Sequence, residues 1–195
     1  MSSSVPIFAD ETWRLPSRGA VAMFSLIIGE CAIFTIFVVA YIFYIGRSVS
    51  GPTPKILDIP IFMTVCLLSS SITIFVAEHA IEHGRMKLFT AFWALTMLLG
   101  IIFIGGTAAE WRHLIYTDHL TISTNLFGTT FYSLVGLHAT HVIIGLLMLG
   151  IVLVFALLGR IKQSHAERIK VLALYWHFVD AVWVVVFTVV YIVGR

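Results

Sequence analysis

The sequence YWHFVDAVW, residues 175–183, places a histidine and a carboxylate inside a long apolar run near the end of the chain. His177 and Asp180 share one face of the predicted helix, because residues three apart are neighbours on a helix surface. Asp180 is the only Asp, Glu, Lys or Arg between Lys170 and Arg195. An ionised aspartate at the centre of a membrane helix costs roughly 2.5 to 3.5 kcal/mol on insertion scales, and such groups turn inward to a partner. The sequence therefore predicts a polar partner for Asp180 elsewhere in the chain.

The composition is that of an integral membrane protein. Of the 195 residues, 59% are hydrophobic and 11% are charged, against about 25% charged in soluble domains. Several apolar stretches reach the roughly 20 residues that cross a hydrocarbon core of about 30 Å. We predict an all-α fold, an integral membrane bundle of five transmembrane helices that forms a single domain over residues 1–195.

Polar, turn-forming segments separate the five apolar runs. A polar arm, residues 1–18, precedes the first run, and the sequence GPTP, residues 51–54, forces a loop after it. No cleavable signal peptide is expected, because a charged start, a short apolar core and a small-residue cleavage site do not occur in that order. The predicted helices cover residues 19–45, 59–80, 88–109, 127–158 and 171–193.

Lys and Arg residues are distributed unequally between the two predicted sides of the membrane. The side of the N-terminus carries Arg14, Arg18, Arg85, Lys87, Arg160, Lys162, Arg168 and Lys170, and the opposite side carries Arg47, Lys55, Arg112 and Arg195. The positive-inside bias places the N-terminus in the cytoplasm and, after five crossings, the C-terminus outside. Trp13, Trp93 and Trp111 lie near predicted helix ends, where aromatic belts are expected.

Other functional classes are not expected from this sequence. The formal net charge is +2, and the basic residues lie near helix ends instead of forming a tract, so nucleic acid is not an expected partner. Cys31 and Cys66 fall within apolar spans and lack a CxxC neighbour, so neither a disulfide framework nor a thiolate metal site is expected.

Polar residues in the first two spans are few. Glu30 lies mid-helix with no basic residue in the same helix. Because burial disfavours the charged form, we expect Glu30 to be protonated at neutral pH and to donate a hydrogen bond to a neighbouring helix. Whether it is purely structural or also functional stays open. The hydroxyls of Ser69, Ser70, Ser71 and Thr73 are expected to pack against neighbouring helices and bond their own backbone.

The end of the second span carries two acidic and two imidazole side chains, Glu78, His79, Glu82 and His83. Their i, i+4 spacing could suggest a dinuclear metal site, but such bundles need matching ligand sets on other helices. Their position beside Gly84 favours a solvated helix terminus.

The sequence FYSLVGLHATHVIIG, residues 131–145, places His138 and His141 on one face of the fourth helix. Small residues around them allow another helix to approach closely: Gly136, Ala139, Thr140 and Gly145. Haem or copper ligation would need more histidines on facing helices than the three within the spans. We therefore predict no catalytic, cofactor or metal site, and we expect His138, His141 and His177 to hydrogen-bond to Asp180, Glu30 and each other.

GLHATHVIIG and YWHFVDAVW together resemble subunit III of the haem-copper terminal oxidases, the family of cytochrome c oxidase and ubiquinol oxidase. The likeness spans nearly the whole chain and includes the Glu30 helix, the GPTP loop, LLSSSIT at 67–73, AAEW at 108–111 and STNLFGTTFY at 123–132. Ala139 departs from the glycine usual in the family, so packing there is expected to be slightly looser. The long family form has seven helices, and this chain resembles the short bacterial form that begins at the third.

The resemblance implies a non-catalytic subunit of a complex that reduces dioxygen to water with electrons from cytochrome c or quinol and pumps protons. It implies haem and copper in the partner catalytic subunits, phospholipid binding and support of proton uptake. The expected partners are oxidase subunits I and II, with a small subunit IV as a further candidate, and the location is the bacterial cytoplasmic membrane. Glu30 matches the family's buried glutamate, which hydrophobic carbodiimides label and whose helix is expected to face the catalytic subunit.

Three other functions share some of these sequence features. A subunit III-like protein that accompanies nitric oxide reductase would share the fold. A small ion or proton carrier would use Glu30 and Asp180 as relay groups, but an internal repeat or broken helices would then be expected. A stand-alone haem anchor would give a haem difference spectrum.

Overall fold

The computed structural model describes residues 17–48 and 50–194, and five long helices fill most of these ranges. They are α1 (Arg18–Tyr44), α2 (Ile61–Glu82), α3 (Met86–Tyr116), α4 (Leu126–Leu157) and α5 (Ala166–Phe187). Each is long and apolar enough to cross a membrane, taking α5 with the turns that flank it. The predicted all-α bundle of five membrane helices is confirmed. The polar arm up to residue 16, with Trp13 and Arg14, and Arg195 at the other end lie outside the described residues.

Two helix boundaries differ from those predicted. α3 continues past residue 109 to Tyr116, because the polar sequence after Ala109 leaves the apolar layer without breaking the helix. The turn that follows contains His119 in a left-handed conformation (φ 53°). α5 begins at Ala166, after a 3₁₀ turn at Gln163–His165, and it ends in a π-helical segment, Thr188–Val193.

The helices alternate in direction, and α5 is the most enclosed of them. It packs against α1, α2 and α4, while α4 also contacts α1 and α3, and α2 and α3 form the most extensive pair. α1 is peripheral. Along α1, which is described throughout, only Phe34 and Tyr41 are buried. Four apolar side chains are partly buried against the core, and most of the others face outward; the four are Met23, Ile27, Phe37 and Val38.

Trp176 of α5 contacts α2, α3 and α4, so its side chain joins four of the helices. A Cβ atom on Gly100 of α3 would lie 2.8 Å from the Trp176 ring, and one on Gly145 of α4 would lie 2.9 Å from it. The Trp176 Nε1–H donates to Ser70 Oγ of α2 at 2.8 Å. The small residue at position 145 thus permits the close helix approach that the sequence predicts there.

Polar contacts fasten the two ends of the bundle. At the end that holds residue 17, Lys170 of α5 forms an ion pair with Glu82 of α2, and Gln163 Nε2–H donates to the Glu82 carbonyl at 2.5 Å. At the opposite end, Asn125 Nδ2–H donates to the Ser50 carbonyl at 3.1 Å and to the Pro52 carbonyl at 2.9 Å. Asn125 thereby ties the loop after α1 to the start of α4.

Candidate functional site

Glu30 of α1 and His141 of α4 form a polar pair within the bundle. Glu30 Oε2 lies 3.0 Å from His141 Nε2. His141 Nδ1 lies 2.8 Å from the Leu137 carbonyl of its own helix, and a carbonyl only accepts, so Nδ1 carries the hydrogen. A neutral His141 then presents the lone pair of Nε2 to Glu30, so a hydrogen bond between these two atoms requires a proton either on the carboxyl group or on Nε2.

The surroundings of this pair are aromatic on one side and open on the other. The Phe34 ring lies 5.0 Å from the His141 ring, and Tyr175 Oη–H donates to the His141 carbonyl at 3.3 Å. The Glu30 side chain is 23% exposed, and its neighbour Cys31 is exposed. The carboxyl group thus lies at the outer edge of the contact between α1 and α4, accessible to a molecule that packs on α1.

Asp180 is 3% exposed, and its partners are hydroxyl groups of α2. Its Oδ2 accepts a hydrogen bond from Ser71 and lies 3.4 Å from Ser70 Oγ. Sequence reasoning missed Ser70 and Ser71 as the partners of Asp180, having assigned them to generic packing. The run of three consecutive serines within an apolar helix is the sequence signal that could have indicated a polar partner for Asp180.

His177 lies between this buried cluster and an open cavity. Its Nδ1 is 3.2 Å from Ser71 Oγ, and its Nε2 is 3.9 Å from Glu78 Oε2. The side chain is 34% exposed and lines a cavity, with Glu78, Glu82 and Lys170, at the end of the bundle that holds residue 17. The expectation that His177 faces the interior therefore applies to its Nδ1 edge alone.

His138 is fully buried, but the expectation that it hydrogen-bonds to a buried acid or to another histidine is wrong. Neither of its ring nitrogens has a hydrogen-bond partner among the described residues. The ring stacks on Trp183 of α5 at a centroid distance of 5.0 Å and meets the edge of Phe103 of α3 at 5.9 Å. His138 therefore contacts its neighbours through its aromatic ring faces and edges, and its environment is that of a buried aromatic side chain.

The four polar residues at the end of α2 lie in or near solvent, as a solvated helix terminus requires. His79, Glu82 and His83 could bring ligand atoms within 4.8 Å of one another. Two of these groups already have partners. Glu82 pairs with Lys170, and His83 Nδ1–H donates to the His79 carbonyl at 2.8 Å.

Glu110 forms a second buried contact that sequence reasoning missed. It lies within α3, where Tyr191 Oη–H donates to its carboxylate oxygens at 3.0 and 3.2 Å. Together with Asp58, His113 and Trp183 it lines a cavity of about 210 Å³ at the end opposite residue 17. The predicted third helix ended at residue 109, which left Glu110 outside it, and the partner Tyr191 from the segment after α5 could not be read from the local sequence.

Comparisons with known proteins agree with this architecture. A family profile described as cytochrome c oxidase subunit III matches residues 19–195. The chain is 36% identical over 169 residues to cytochrome c oxidase subunit 3 of Alkalihalophilus pseudofirmus, which covers 85% of this chain and 82% of that relative. It is 32% identical over 198 residues to quinol oxidase subunit 3 of Bacillus subtilis, covering 99% and 95%. It is 29% identical over 198 residues to cytochrome c oxidase subunit 3 of Thermostichus vulcanus, covering 100% and 96%.

Proposed function

The chain belongs to the cytochrome c oxidase subunit III family, and on that premise we propose that it is a non-catalytic subunit of a proton-pumping, dioxygen-reducing oxidase. Membership of this family makes it a multi-pass membrane subunit of a multi-subunit terminal oxidase. Our proposal concerns what it does there: it stabilises the catalytic subunit through α1, and it leaves the redox chemistry to other chains.

The haem and copper groups of such an oxidase are proposed to lie in its catalytic subunits. Two of the histidines within the membrane spans, His138 and His141, are poorly suited to bind them. His138 is enclosed by the Trp183 and Phe103 rings, and His141 has both ring nitrogens engaged, by Leu137 and Glu30.

The single observation that carries the proposal is the partly outward-facing carboxyl group of Glu30 on the peripheral helix α1. Apolar exposure alone would not identify a protein partner, because lipid tails cover apolar side chains equally well. An ionisable group at mid-span is different, because exposing it to hydrocarbon costs several kcal/mol. A protein surface that packs on α1 and shields the Glu30 and His141 pair removes that cost, and oxidase subunit I is the partner we propose.

The electron donor is proposed to be set by the other subunits. The relatives include cytochrome c oxidase subunits and quinol oxidase subunits at similar identity, so the same third subunit is compatible with either donor. Both names are oxidase names, which does not favour association with a nitric oxide reductase. Subunit II and a small subunit IV are further proposed partners.

We propose that the end of the bundle with residue 17 faces the cytoplasm of a bacterial cell. Seven of the described Lys and Arg residues lie at or near that end, namely Arg18, Arg85, Lys87, Arg160, Lys162, Arg168 and Lys170, against Arg47, Lys55 and Arg112 at the other. This asymmetry is the one that the positive-inside rule describes. Phospholipid is a proposed ligand only where a partner subunit supplies a second wall for it.

Purification of the tagged chain in mild detergent tests the proposal. Native electrophoresis, a haem difference spectrum and oxygen consumption with reduced cytochrome c or quinol are measured on the product. We expect a haem-containing oxidase to copurify with the tagged chain. We expect the chain purified alone to contain no haem. Haem bound to the isolated chain, or a nitric oxide reductase as the copurifying enzyme, would contradict the proposal.

A further inference from the structure

The contacts around Asp180 point to a function that does not depend on which subunits surround the chain. We propose that Asp180 is a reversible proton-storing group that exchanges protons with the end of the bundle that holds residue 17, through Ser71 and His177. The proposal rests on the continuity and the direction of the hydrogen bonds that join these three residues.

A continuous set of polar atoms joins Asp180 to the open cavity. Asp180 Oδ2 contacts Ser71 Oγ, which lies 3.2 Å from His177 Nδ1. On the other side of the imidazole ring, His177 Nε2 lies 3.9 Å from Glu78 Oε2. That separation is longer than a hydrogen bond and is one that a small rotation of Glu78 or a bridging water spans.

The hydrogen bonds have one direction when Asp180 is ionised. A carboxylate only accepts, so Ser71 donates to Asp180. The Ser71 oxygen then accepts from His177, which fixes the hydrogen on Nδ1. His177 Nε2 is left with its lone pair towards Glu78 and the cavity, where an incoming proton first binds.

Three linked transfers move one proton to Asp180. A proton from the cavity, delivered by Glu78 or by water, binds to His177 Nε2. The Nδ1 proton of His177 passes to Ser71 Oγ as the Ser71 hydroxyl proton passes to Asp180 Oδ2. The aspartate becomes a neutral acid, His177 and Ser71 return to neutrality, and one proton has been taken from solution.

The state with a protonated Asp180 keeps the same hydrogen-bonded pairs as the state with an ionised Asp180. Asp180 now donates to Ser71, Ser71 donates to His177 Nδ1, and His177 carries its hydrogen on Nε2. Release follows by the reverse transfers, so no ring flip is required. Asp180 Oδ1 has no hydrogen-bond partner among the described residues, so the path ends at this carboxyl group and the proton leaves as it entered.

Neighbouring residues hold the end of the path in position. Trp176 donates to Ser70, and Ser70 in turn donates to the Leu67 carbonyl at 2.6 Å beside the Asp180 carboxyl group. The charged and titratable side chains that line the cavity are Glu78, His79 and Glu82 of α2 and Glu167, Lys170 and His177 of α5. Glu82 and Lys170 neutralise each other there, which leaves Glu78 as the acidic group nearest to His177.

Infrared spectroscopy of the purified complex tests this assignment. The sample is perfused alternately with acidic and alkaline buffer, and the C=O stretch of protonated carboxylic acids is followed in time. A band that appears on acidification and is missing in Asp180→Asn is expected. Ser71→Ala should slow its appearance on the order of 100-fold, the scale of a lost positioned proton donor, and Ser69→Ala, the matched control on the same helix, should not.

Two results would overturn the proposal. One is an Asp180 band that does not change with pH, and the other is equal band kinetics in Ser71→Ala and Ser69→Ala. If Asp180→Asn does not assemble, Asp180→Glu identifies the band by its shift in frequency, since it keeps the carboxyl group. An oxidase complex that lacks this chain should lack the band altogether, which separates failure of this assignment from failure of the proposed partnership.

Discussion

Glu30 of α1 and His141 of α4 lie on different helices, with their side chains 3.0 Å apart at Oε2 and Nε2. Because Nδ1 of His141 donates to the Leu137 carbonyl, the pair can form its own hydrogen bond in two forms, each with one proton placed on Glu30 or on Nε2. The expected protonation of Glu30 at neutral pH is one of its two forms, and the other is a carboxylate beside an imidazolium. In either form the pair is neutral towards the surface that packs on α1.

Glu30→Gln should separate proton sharing from packing. The amide can still donate to His141 Nε2 but cannot titrate, so we expect normal assembly and near wild-type initial oxygen consumption, with altered proton uptake or faster inactivation over many turnovers. Thr35→Val on the same helix is the control, because the Thr35 hydroxyl bonds only its own backbone. Loss of assembly would indicate a packing role, and progress curves identical to wild type at every pH would leave Glu30 structural.

His138→Leu and His141→Leu make the same change one turn apart and should have opposite consequences. His138 has no hydrogen-bond partner within residues 17–48 and 50–194, so its replacement should leave the free energy of unfolding unchanged or raise it. His141→Leu strands the Glu30 carboxyl group and should cost about 1 to 3 kcal/mol. Circular dichroism recorded during unfolding in SDS measures the change in stability of both variants. A greater loss at position 138 than at 141 would mean that His138 has a polar partner in the complex.

Gly145→Ala should destabilise the bundle, because the added Cβ would lie 2.9 Å from the Trp176 ring. Overpacking of this kind costs about 1 to 3 kcal/mol. Gly105→Ala on α3 is the matched control, since a Cβ there meets nothing within 4 Å, and alanine should favour the helix. The two variants are compared by their midpoints of unfolding in SDS, and equal midpoints would show that Trp176 moves aside without cost.

Asn125 makes two kinds of hydrogen bond, and two substitutions can separate their contributions to stability. Its Oδ1 accepts from the Gly128 amide at 2.8 Å, which caps α4, and its amide hydrogens bond the Ser50 and Pro52 carbonyls. Asn125→Asp should keep the cap and lose the loop contacts, whereas Asn125→Ala should lose both and cost about 1 kcal/mol more. Hydrogen exchange at the start of α4 should increase in the alanine variant alone.

Cysteine labelling tests the orientation. In a chain with Cys31→Ala and Cys66→Ala, Ser123→Cys and Ser164→Cys place single thiols at exposed positions on opposite ends of the bundle. A membrane-impermeant maleimide should label position 123 in intact spheroplasts and position 164 only after permeabilisation. The reverse pattern would invert the topology.

The number and the approximate positions of the five helices were predictable because bilayer thickness sets the length of an apolar run, whereas the far end of α3 and the start of α5 were not, because polar residues continue these helices beyond the apolar runs. The burial of Asp180 was also predictable, because an exposed carboxylate is too costly in hydrocarbon. Its serine partners were not, since the rotation of α2 against α5 decides which side chains meet. The environment of His138 was missed for a similar reason. A spacing of three residues puts His138 and His141 on one broad face, but His141 meets α1 while His138 meets Trp183 of α5.

Five alternating helices leave residues 17 and 194 at opposite ends of the bundle, with Gly194 beside Tyr41 at the far end of α1. Two copies joined head to tail by a short linker would therefore insert upside down relative to each other. A single-chain tandem with both copies in the same orientation would need an added sixth crossing between them. Because the number of crossings is odd, reporter proteins attached beyond the two ends would lie in different compartments. One protein could therefore be labelled independently on each side of the membrane.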